Sequence, residues 1–253
     1  MTPEPKTIFI TGASSGLGRA LSLWFARRGA RVWAAARRSE QLATLKAEAE
    51  AGGGPGTIEP VVLDVTDSDA VRRALQSADD STPGGLEVVV ANAGVGIEMR
   101  PKRDLWPEME RMLKVNVLGA AATLLALTPR MVERGRGHLV GVSSIAAWVV
   151  PPRTGTYSAT KAFLEAFCDG LRIDLQPFGV QVTCIYPGFV KSEMTAKNKF
   201  PMPFLLETDD AADRIGRAIL RRQKRFAFPW PMVLAGRFAG LLPENAVALL
   251  RRR

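Results

Sequence analysis

Residue types that often build catalytic or metal sites are scarce in this sequence of 253 residues. The single histidine, His138, excludes a histidine triad and a histidine metal site, and it lies in the run GHLVGVSS, typical of the start of a buried strand. The two cysteines, Cys168 and Cys184, are too few for a disulfide framework. We therefore predict no metal site.

Long apolar runs and targeting signals are also lacking. No stretch looks both long and apolar enough to cross a bilayer, and MTPEPKTIFI does not have the order of a signal peptide. With 47% hydrophobic and 23% charged residues, the composition is that of a globular protein. We expect a cytoplasmic protein that is not integral to a membrane.

The net charge of +9 would suit nucleic acid, anionic lipid or a polyanionic cofactor. However, the arginines are scattered and aromatic residues are not interleaved with them, so no nucleic-acid partner is expected. The surplus of arginine is also compatible with a role in solubility alone.

Short apolar runs alternate with amphipathic segments along most of the chain. KTIFITG, RVWAAA, IEPVVLDV, LEVVVANAG, GHLVGVSS and VQVTCIYPG are typical of strands, and the intervening segments have helical spacing. RFAFPW is a candidate for one further strand. This alternation predicts an α/β fold whose parallel sheet is covered by helices on both faces.

A glycine-rich segment, TGASSGLG at Thr11–Gly18, stands where the first strand becomes the first helix. Gly12 would permit a sharp turn, Gly16 would let the backbone approach a pyrophosphate, and Gly18 would allow close packing of helix on strand. The helix N-terminus adds free N–H groups, so a dinucleotide is the expected ligand. A purely structural turn is the alternative.

Two arginines, Arg37 and Arg38, follow the second strand, where an acidic residue would hold the ribose hydroxyls of NAD. An arginine there accommodates a 2′-phosphate, and the Ser14 hydroxyl can assist. We therefore predict NADP(H) in preference to NAD(H), with Arg37 as the main contact. Arg38 either shares the task or simply begins the next helix, and both arginines could be surface charges.

The segment YSATK places Tyr157 and Lys161 four residues apart on one helical face. A nearby ammonium favours the phenolate, which would bring the tyrosine closer to use in proton transfer at neutral pH. Taken alone, the pair could equally be an amphipathic helix with a surface lysine.

Seven ordered motifs resemble the short-chain dehydrogenase/reductase family between Thr7 and Met194. They are TGASSGLG, LDV at 63–65, NAG at 92–94, VN at 115–116, SS at 143–144, YSATK at 157–161 and PG at 187–188. The resemblance implies one Rossmann domain over residues 1–253 with a doubly wound parallel sheet of about seven strands. Within this domain we expect a substrate lid at about 189–208 and a variable C-terminal tail at about 226–253.

The resemblance implies four catalytic residues. Tyr157 would be the acid or base, Lys161 would lower its pKa and hold the nicotinamide ribose, and Ser144 would polarise the substrate carbonyl. Ser144 rather than Ser143 fits the spacing to the tyrosine. Asn116 would hold a water in the proton relay, or it could only stabilise its helix.

The resemblance also implies a cofactor-binding set that includes Tyr157 and Lys161. Its other members are Gly12, Ser14, Ser15, Gly16, Leu17, Gly18, Arg37, Arg38, Asp64, Val65, Asn92, Ala93, Gly94, Pro187, Gly188, Val190 and Ser192. Asp64 and Val65 would contact adenine, residues 92–94 would line the adenosine ribose, and residues 187–190 would approach the nicotinamide. Ser192 would replace the threonine that bonds the carboxamide in many relatives.

The expected activity is that of an NADPH-dependent carbonyl reductase or a secondary-alcohol dehydrogenase. The alternatives are a 3-oxoacyl thioester reductase, a non-catalytic NADP(H)-binding protein that responds to redox state, and a peripheral membrane module. The predicted pocket walls contain Trp148, Val149, Phe200, Met202 and Phe204, which favours an apolar or aromatic carbonyl substrate.

The tail departs from the family pattern. Its apolar stripe predicts core or a subunit interface in a homodimer or homotetramer, with peripheral lipid contact as the alternative. The stripe consists of Met232, Leu234, Phe238, Leu241 and Leu242.

Overall fold

The computed structural model describes residues 6–99, 104–151, 153–197 and 201–239. Seven strands in these ranges form one parallel sheet in the order β3-β2-β1-β4-β5-β6-β7. They are β1 (Thr7–Thr11), β2 (Arg31–Ala36), β3 (Thr57–Val62), β4 (Val88–Ala91), β5 (Gly137–Val142), β6 (Val180–Pro187) and β7 (Arg225–Phe228). The predicted doubly wound Rossmann fold is confirmed, and RFAFPW does contribute a strand.

Helices cover both faces of the sheet. They are α1 (Gly16–Ala26), α2 (Ser39–Ala51), α3 (Ser68–Asp80), α4 (Trp106–Met112), α5 (Ala120–Leu125), α6 (Thr128–Glu133), α7 (Gly155–Leu175), α8 (Thr208–Leu220) and α9 (Trp230–Ala239). Strand β1 shows why two cores form: Ile8 and Ile10 enter the cluster beneath α1 and α8, whereas Phe9 enters the cluster beneath α3, α5 and α7. Side chains alternate across a strand, so a strand buried on both faces feeds both cores.

The sheet reverses its winding at β1, which has β2 on one side and β4 on the other. In open parallel sheets, ligands bind at this switch point, outside the carboxyl ends of the strands. Here those ends are Thr11 and Ala91. The loops that follow β1, β4, β5 and β6 therefore meet at one edge.

The helix expected from WPEMERMLKVNVLGAAATLLAL is interrupted. A π-helical segment, Leu113–Gly119, separates α4 from α5 and carries Asn116. Such segments are rare in proteins, and those that do occur are often found at functional sites. Hydrophobic periodicity does not distinguish this short π-helical insertion from continuous α-helix.

The expectation that no segment is long and apolar enough to cross a membrane is wrong. The helical run Trp106–Glu133 meets that test, with 28 residues and a mean hydropathy of 1.4 in its most apolar window. Much of that apolar surface packs inside the fold, because Leu124 and Met131 are fully buried in the core beside α7. A core helix of this kind has the same composition as a membrane span.

The predicted lid region is tied down at both ends. Val190 pairs with Leu206, the backbone N–H of Lys191 donates to the Leu206 carbonyl, and the Thr208 hydroxyl donates to the Lys191 carbonyl at 2.6 Å. Glu207 is the N-cap residue of helix α8 and makes no side-chain capping bond. Phe200 lies outside the described residues.

Part of the predicted apolar tail packs against the fold. Met232 contacts the core cluster beneath α7, and Leu234 is 52% exposed. Leu241, Leu242 and the side chain of Phe238 lie outside the described residues.

His138 is buried at the start of β5, and its Nε2 lies 2.8 Å from the Thr183 hydroxyl. Burial, with a smaller contribution from the Arg222 cation, lowers the pKa of His138 from 6.5 to about 3. Between these two values the unfolded chain binds a proton that the folded chain does not. Stability must therefore fall as pH decreases through that window.

We predict that lowering the pH from 7 to 5 reduces the free energy of unfolding by about 2 kcal/mol through His138. The chain has no other histidine, so few other groups titrate in this interval. Urea unfolding at both pH values should show this loss in the native protein and most of it should be missing in His138→Gln. An equal loss in both proteins would contradict the assignment.

Candidate functional site

The turn between β1 and α1 touches the end of β4. A Cβ atom on Gly12 would lie 2.8 Å from the Ala93 Cα, and one on Gly18 would lie 2.4 Å from the Gly12 carbonyl oxygen. The Asn92 amide donates to the Thr11 carbonyl at 2.9 Å, and the Thr11 hydroxyl accepts from the Asn92 backbone N–H at 3.1 Å. Only glycine fits at positions 12 and 18.

Gly16, the third glycine, lies below the space above this turn, and its missing side chain leaves that space open. Gly16 has φ +53°, and a Cβ on it would lie 3.2 Å from the Ser192 Cβ. Helix α1 begins at Gly16, so the N–H groups of its first turn have no partner within the helix and its positive end faces this space. Leu17 packs its side chain into the core, which leaves its backbone N–H for a ligand. This donor set fits a pyrophosphate.

The two arginines after β2 lie in different places. The Arg38 guanidinium donates to the Ser14 hydroxyl at 3.0 and 3.2 Å and to the Ser15 hydroxyl at 2.9 Å, and it pairs with Glu193 at 3.0 Å. Arg37 instead lies 3.7 Å from the Asp64 carboxylate, and its side chain is 60% exposed. The arginine at the phosphate-binding turn is thus Arg38.

Asp64 and Val65 follow β3 on the side of the crevice where the adenine was expected. The Asp64 carboxylate accepts from the N–H and hydroxyl of Thr66 at 3.0 and 2.9 Å, and these bonds together with Arg37 lower its pKa despite partial burial. Val65 is buried against Gly119. Val65 thus packs in the core, whereas the Asp64 side chain is 43% exposed.

The Ser144 hydroxyl is close enough to Tyr157 to lower the pKa of the phenol, while it accepts from the Ala146 N–H at 3.1 Å and donates to the Pro187 carbonyl at 3.4 Å. Ser144 follows β5 and Tyr157 lies in the first turn of α7, so both reach the carboxyl edge of the sheet. The neighbouring Ser143 faces the other way, because its buried hydroxyl donates to the Lys161 backbone carbonyl at 2.8 Å. The pair proposed from the sequence spacing is therefore brought together, and Ser143 lies apart from it.

Lys161 is buried beside Tyr157. Its Nζ donates to the Val142 carbonyl at 2.8 Å and lies 5.7 Å from the centre of the Tyr157 ring. Burial lowers the pKa of Lys161 to about 8. Burial also raises the pKa of Tyr157, and the neighbouring Ser144 hydroxyl opposes this only in part. The net shift of Tyr157 is thus opposite to the lowering that the sequence implied.

Asn116 does more than stabilise its own helix. Its amide oxygen accepts from the Val95 N–H at 2.8 Å, and its amide nitrogen donates to the Val95 carbonyl at 2.9 Å and to the Thr160 hydroxyl at 3.0 Å. A Cβ on Gly94 would lie 3.5 Å from both the Asn116 oxygen and the Lys161 Nζ. Asn116 therefore holds the loop after β4 against α7, next to the catalytic candidates.

The segment after Pro187 forms the remaining side of the site. The Ser192 hydroxyl lies 3.2 Å from the Thr195 hydroxyl, which donates to the Val190 carbonyl at 2.8 Å. Val190 is buried in the core, and Gly188 lies against Met232. The sequence analysis identified Ser192 but missed Thr195 and Glu193. The only clue to these two residues in the sequence is that they lie close to Ser192.

Met194 and Trp148 show which apolar side chain lies at the reactive end and which does not. A Cβ on Gly96 would lie 3.1 Å from the Met194 sulfur and 3.7 Å from the Tyr157 ring, so Met194 approaches the tyrosine. Trp148, expected as a pocket wall, packs on Tyr186 at 4.6 Å and donates its indole N–H to Glu165. These contacts give Trp148 a packing role.

Comparison with known proteins agrees with this geometry. A family model described as short chain dehydrogenase matches residues 6–201. An uncharacterized oxidoreductase from Myxococcus xanthus is 52% identical over 98% of this chain and 97% of its own. A fatty acyl-CoA reductase from Acinetobacter baylyi is 34% identical over 88% of this chain and 75% of its own.

A solved structure of another short-chain dehydrogenase has a similar fold. The solved structure of a short-chain dehydrogenase from Sphingobium yanoikuyae in complex with NADPH is 26% identical to this chain, covers 97% of this chain and 94% of its own, and has a TM-score of 0.79. The chain therefore belongs to the short-chain dehydrogenase family and is an NAD(P)-dependent oxidoreductase acting on CH–OH groups.

Proposed function

We propose that the protein is an NADPH-dependent carbonyl reductase, or in reverse a secondary-alcohol dehydrogenase. The observation that carries this proposal is the position of the Tyr157 phenol next to Ser144 and 5.7 Å from the buried Lys161 ammonium. NADPH, when bound, would supply a hydride to the carbonyl carbon. Ser144 would donate a hydrogen bond to the carbonyl oxygen, and Tyr157 would transfer its proton to that oxygen to complete the alcohol.

The pKa values support reduction at neutral pH. A tyrosine whose pKa is raised by burial keeps its proton and can donate it. Lys161, with a pKa of about 8, remains mostly protonated at pH 7 and would stabilise the phenolate left after transfer. We further propose that Asn116 holds a water that returns a proton through Lys161.

The Arg38 position supports NADP(H) over NAD(H). Its guanidinium stands beside the Ser14 and Ser15 hydroxyls at the phosphate-binding turn, and a guanidinium fork matches a phosphate dianion. Arg37 would be a secondary contact next to the adenosine ribose.

The lid supports an apolar or aromatic carbonyl substrate. Met194, Phe204 and Leu205 expose between 36% and 57% of their surface on the segment that adjoins Tyr157. A long acyl thioester would also suit such a surface, and the similarity to the solved 3-oxoacyl-[acyl-carrier protein] reductase from Brucella melitensis, 27% identical to this chain, keeps a 3-oxoacyl thioester reductase as the second candidate. Consumption of NADPH with ketones, aldehydes and 3-oxoacyl thioesters in parallel separates the two, and turnover of none would favour a non-catalytic NADP(H)-binding protein.

We also propose a homodimer or homotetramer located in the cytoplasm. Trp106, Leu118 and Leu125 expose 62%, 59% and 45% of their surface along α4, the π-helical segment and α5, and Ile173 on α7 exposes 73%. Exposed apolar side chains of this size are typical of an interaction surface.

Replacing Tyr157 with phenylalanine should lower kcat at least about 100-fold, because the proton donor is lost while the ring is kept. The affinity for NADPH, measured by fluorescence titration, should change little. Retention of more than about a tenth of the native kcat would contradict the assigned role.

Lys161→Ala should reduce both turnover and NADPH affinity, since the lysine would hold the ribose as well as stabilise the phenolate. Titration of NADPH binding separates the two effects. If the affinity stays at the native value, the ribose-holding role is wrong.

Arg38→Ala should lower kcat/KM for NADPH about 10- to 150-fold, the range expected for the loss of a charge-assisted contact, and leave NADH activity nearly unchanged. Arg37→Asp, made in parallel, should have the smaller effect because Arg37 lies beside Asp64. Equal efficiency of the native enzyme with NADH and NADPH would overturn the NADP assignment.

A further inference from the structure

The guanidinium of Arg38 already has anionic and hydroxyl partners on every nitrogen. Its Nε and one terminal nitrogen donate to the Ser14 hydroxyl, and that same terminal nitrogen donates to the Ser15 hydroxyl. The other terminal nitrogen contacts both carboxylate oxygens of Glu193, at 3.0 and 3.1 Å. A phosphate gripped through two N–H groups must therefore displace at least one of these partners.

Glu193 is fixed next to the phosphate-binding turn by its neighbours. Ser192 precedes it and faces Gly16, and the Ser192 N–H donates to the Thr195 hydroxyl at 2.9 Å. The Thr195 hydroxyl in turn bonds the Val190 carbonyl. The segment after β6 thus delivers a carboxylate across the crevice to an arginine that follows β2.

We propose that Glu193 is a specificity-determining residue that competes with the 2′-phosphate of NADP(H) for Arg38. This inference rests on the proposed preference for NADP(H). A carboxylate and a phosphate are both oxyanions that use the same guanidinium donors, so binding of the second releases the first. Glu193 then lowers the affinity for the phosphorylated cofactor and narrows the difference between NADPH and NADH.

The pairing is weak enough to be displaced. The Arg38 and Glu193 side chains are 40% and 62% exposed, and ion pairs in such positions are weak because water screens them. A phosphate dianion carries more charge than a carboxylate, so it would prevail at the arginine. Glu193 would remain nearby and repel the dianion, which adds to the loss of affinity.

Replacing Glu193 with glutamine removes the charge and keeps the size of the side chain. The dissociation constant for NADPH should fall roughly 3- to 10-fold, from loss of the competing pair and of the repulsion, and that for NADH should change less than about twofold. Calorimetric titration measures both dissociation constants without turnover. Adenosine 2′,5′-bisphosphate and adenosine 5′-phosphate, titrated in the same way, isolate the contribution of the 2′-phosphate.

Glu207→Gln is the matched control. Glu207 carries the same charge at the other end of the same segment, but its ion-pair partner is Lys191 rather than Arg38. The control should leave the NADPH to NADH affinity ratio at the native value. If Glu193→Gln and Glu207→Gln raise the affinity for NADPH equally, the effect comes from net charge alone and the proposal is overturned.

Arg38→Ala distinguishes failure of the inference from failure of the cofactor assignment. If Arg38→Ala lowers the affinity ratio of NADPH to NADH but Glu193→Gln does not raise it, the competition is refuted and the NADP assignment stands. If Arg38→Ala leaves the ratio unaltered, both fail. Glu193→Gln in the Arg38→Ala background should lose most of its gain, because the competed arginine is gone.

Discussion

The site depends on the close approach of the β1–α1 turn to the end of β4. Neither Gly12 nor Gly18 has room for a Cβ, and the Asn92 amide bonds the backbone of the turn directly. This contact makes the phosphate-binding turn and the loop after β4 a single unit. Asn116 extends the unit by bonding both backbone groups of Val95, which brings the loop against α7. Cofactor-binding and catalytic candidates are thereby placed by backbone contacts rather than by long side chains.

The second constraint is the burial of the Lys161 ammonium. A charge removed from water is costly unless it finds polar partners, and the Val142 carbonyl at the end of β5 is the partner here. The remaining cost appears as a pKa lowered to about 8. Ser143, directly after β5, binds the backbone of the same lysine, so this strand end fixes both ends of the residue, while the next serine lies beside Tyr157. One strand end thus supports the cation and supplies the hydroxyl.

The sequence predicted the fold well, because buried parallel strands and amphipathic helices have distinct periods. The glycine spacing predicted the turn for a similar reason, since few residues fit a backbone contact. The sequence analysis named Arg37 as the main cofactor contact and did not predict that Arg38 would reach that turn. Residues 37 and 38 leave the strand in different directions, and the choice depends on Ser14, Ser15 and Glu193, which are distant in sequence. The packing of Trp148 on Tyr186 depends on tertiary contacts in the same way.

The predicted lid region is anchored at both ends. Val190 pairs with Leu206, and the Thr195 hydroxyl bonds the Val190 carbonyl and the Ser192 N–H. Within that stretch Phe204 adopts φ +57°, a conformation that is unfavourable for an aromatic residue, and exposes 57% of its surface. The anchored ends of this segment keep Ser192 and Glu193 beside the phosphate-binding turn, where Glu193 pairs with Arg38 because β6 and β2 end at the same edge of the sheet.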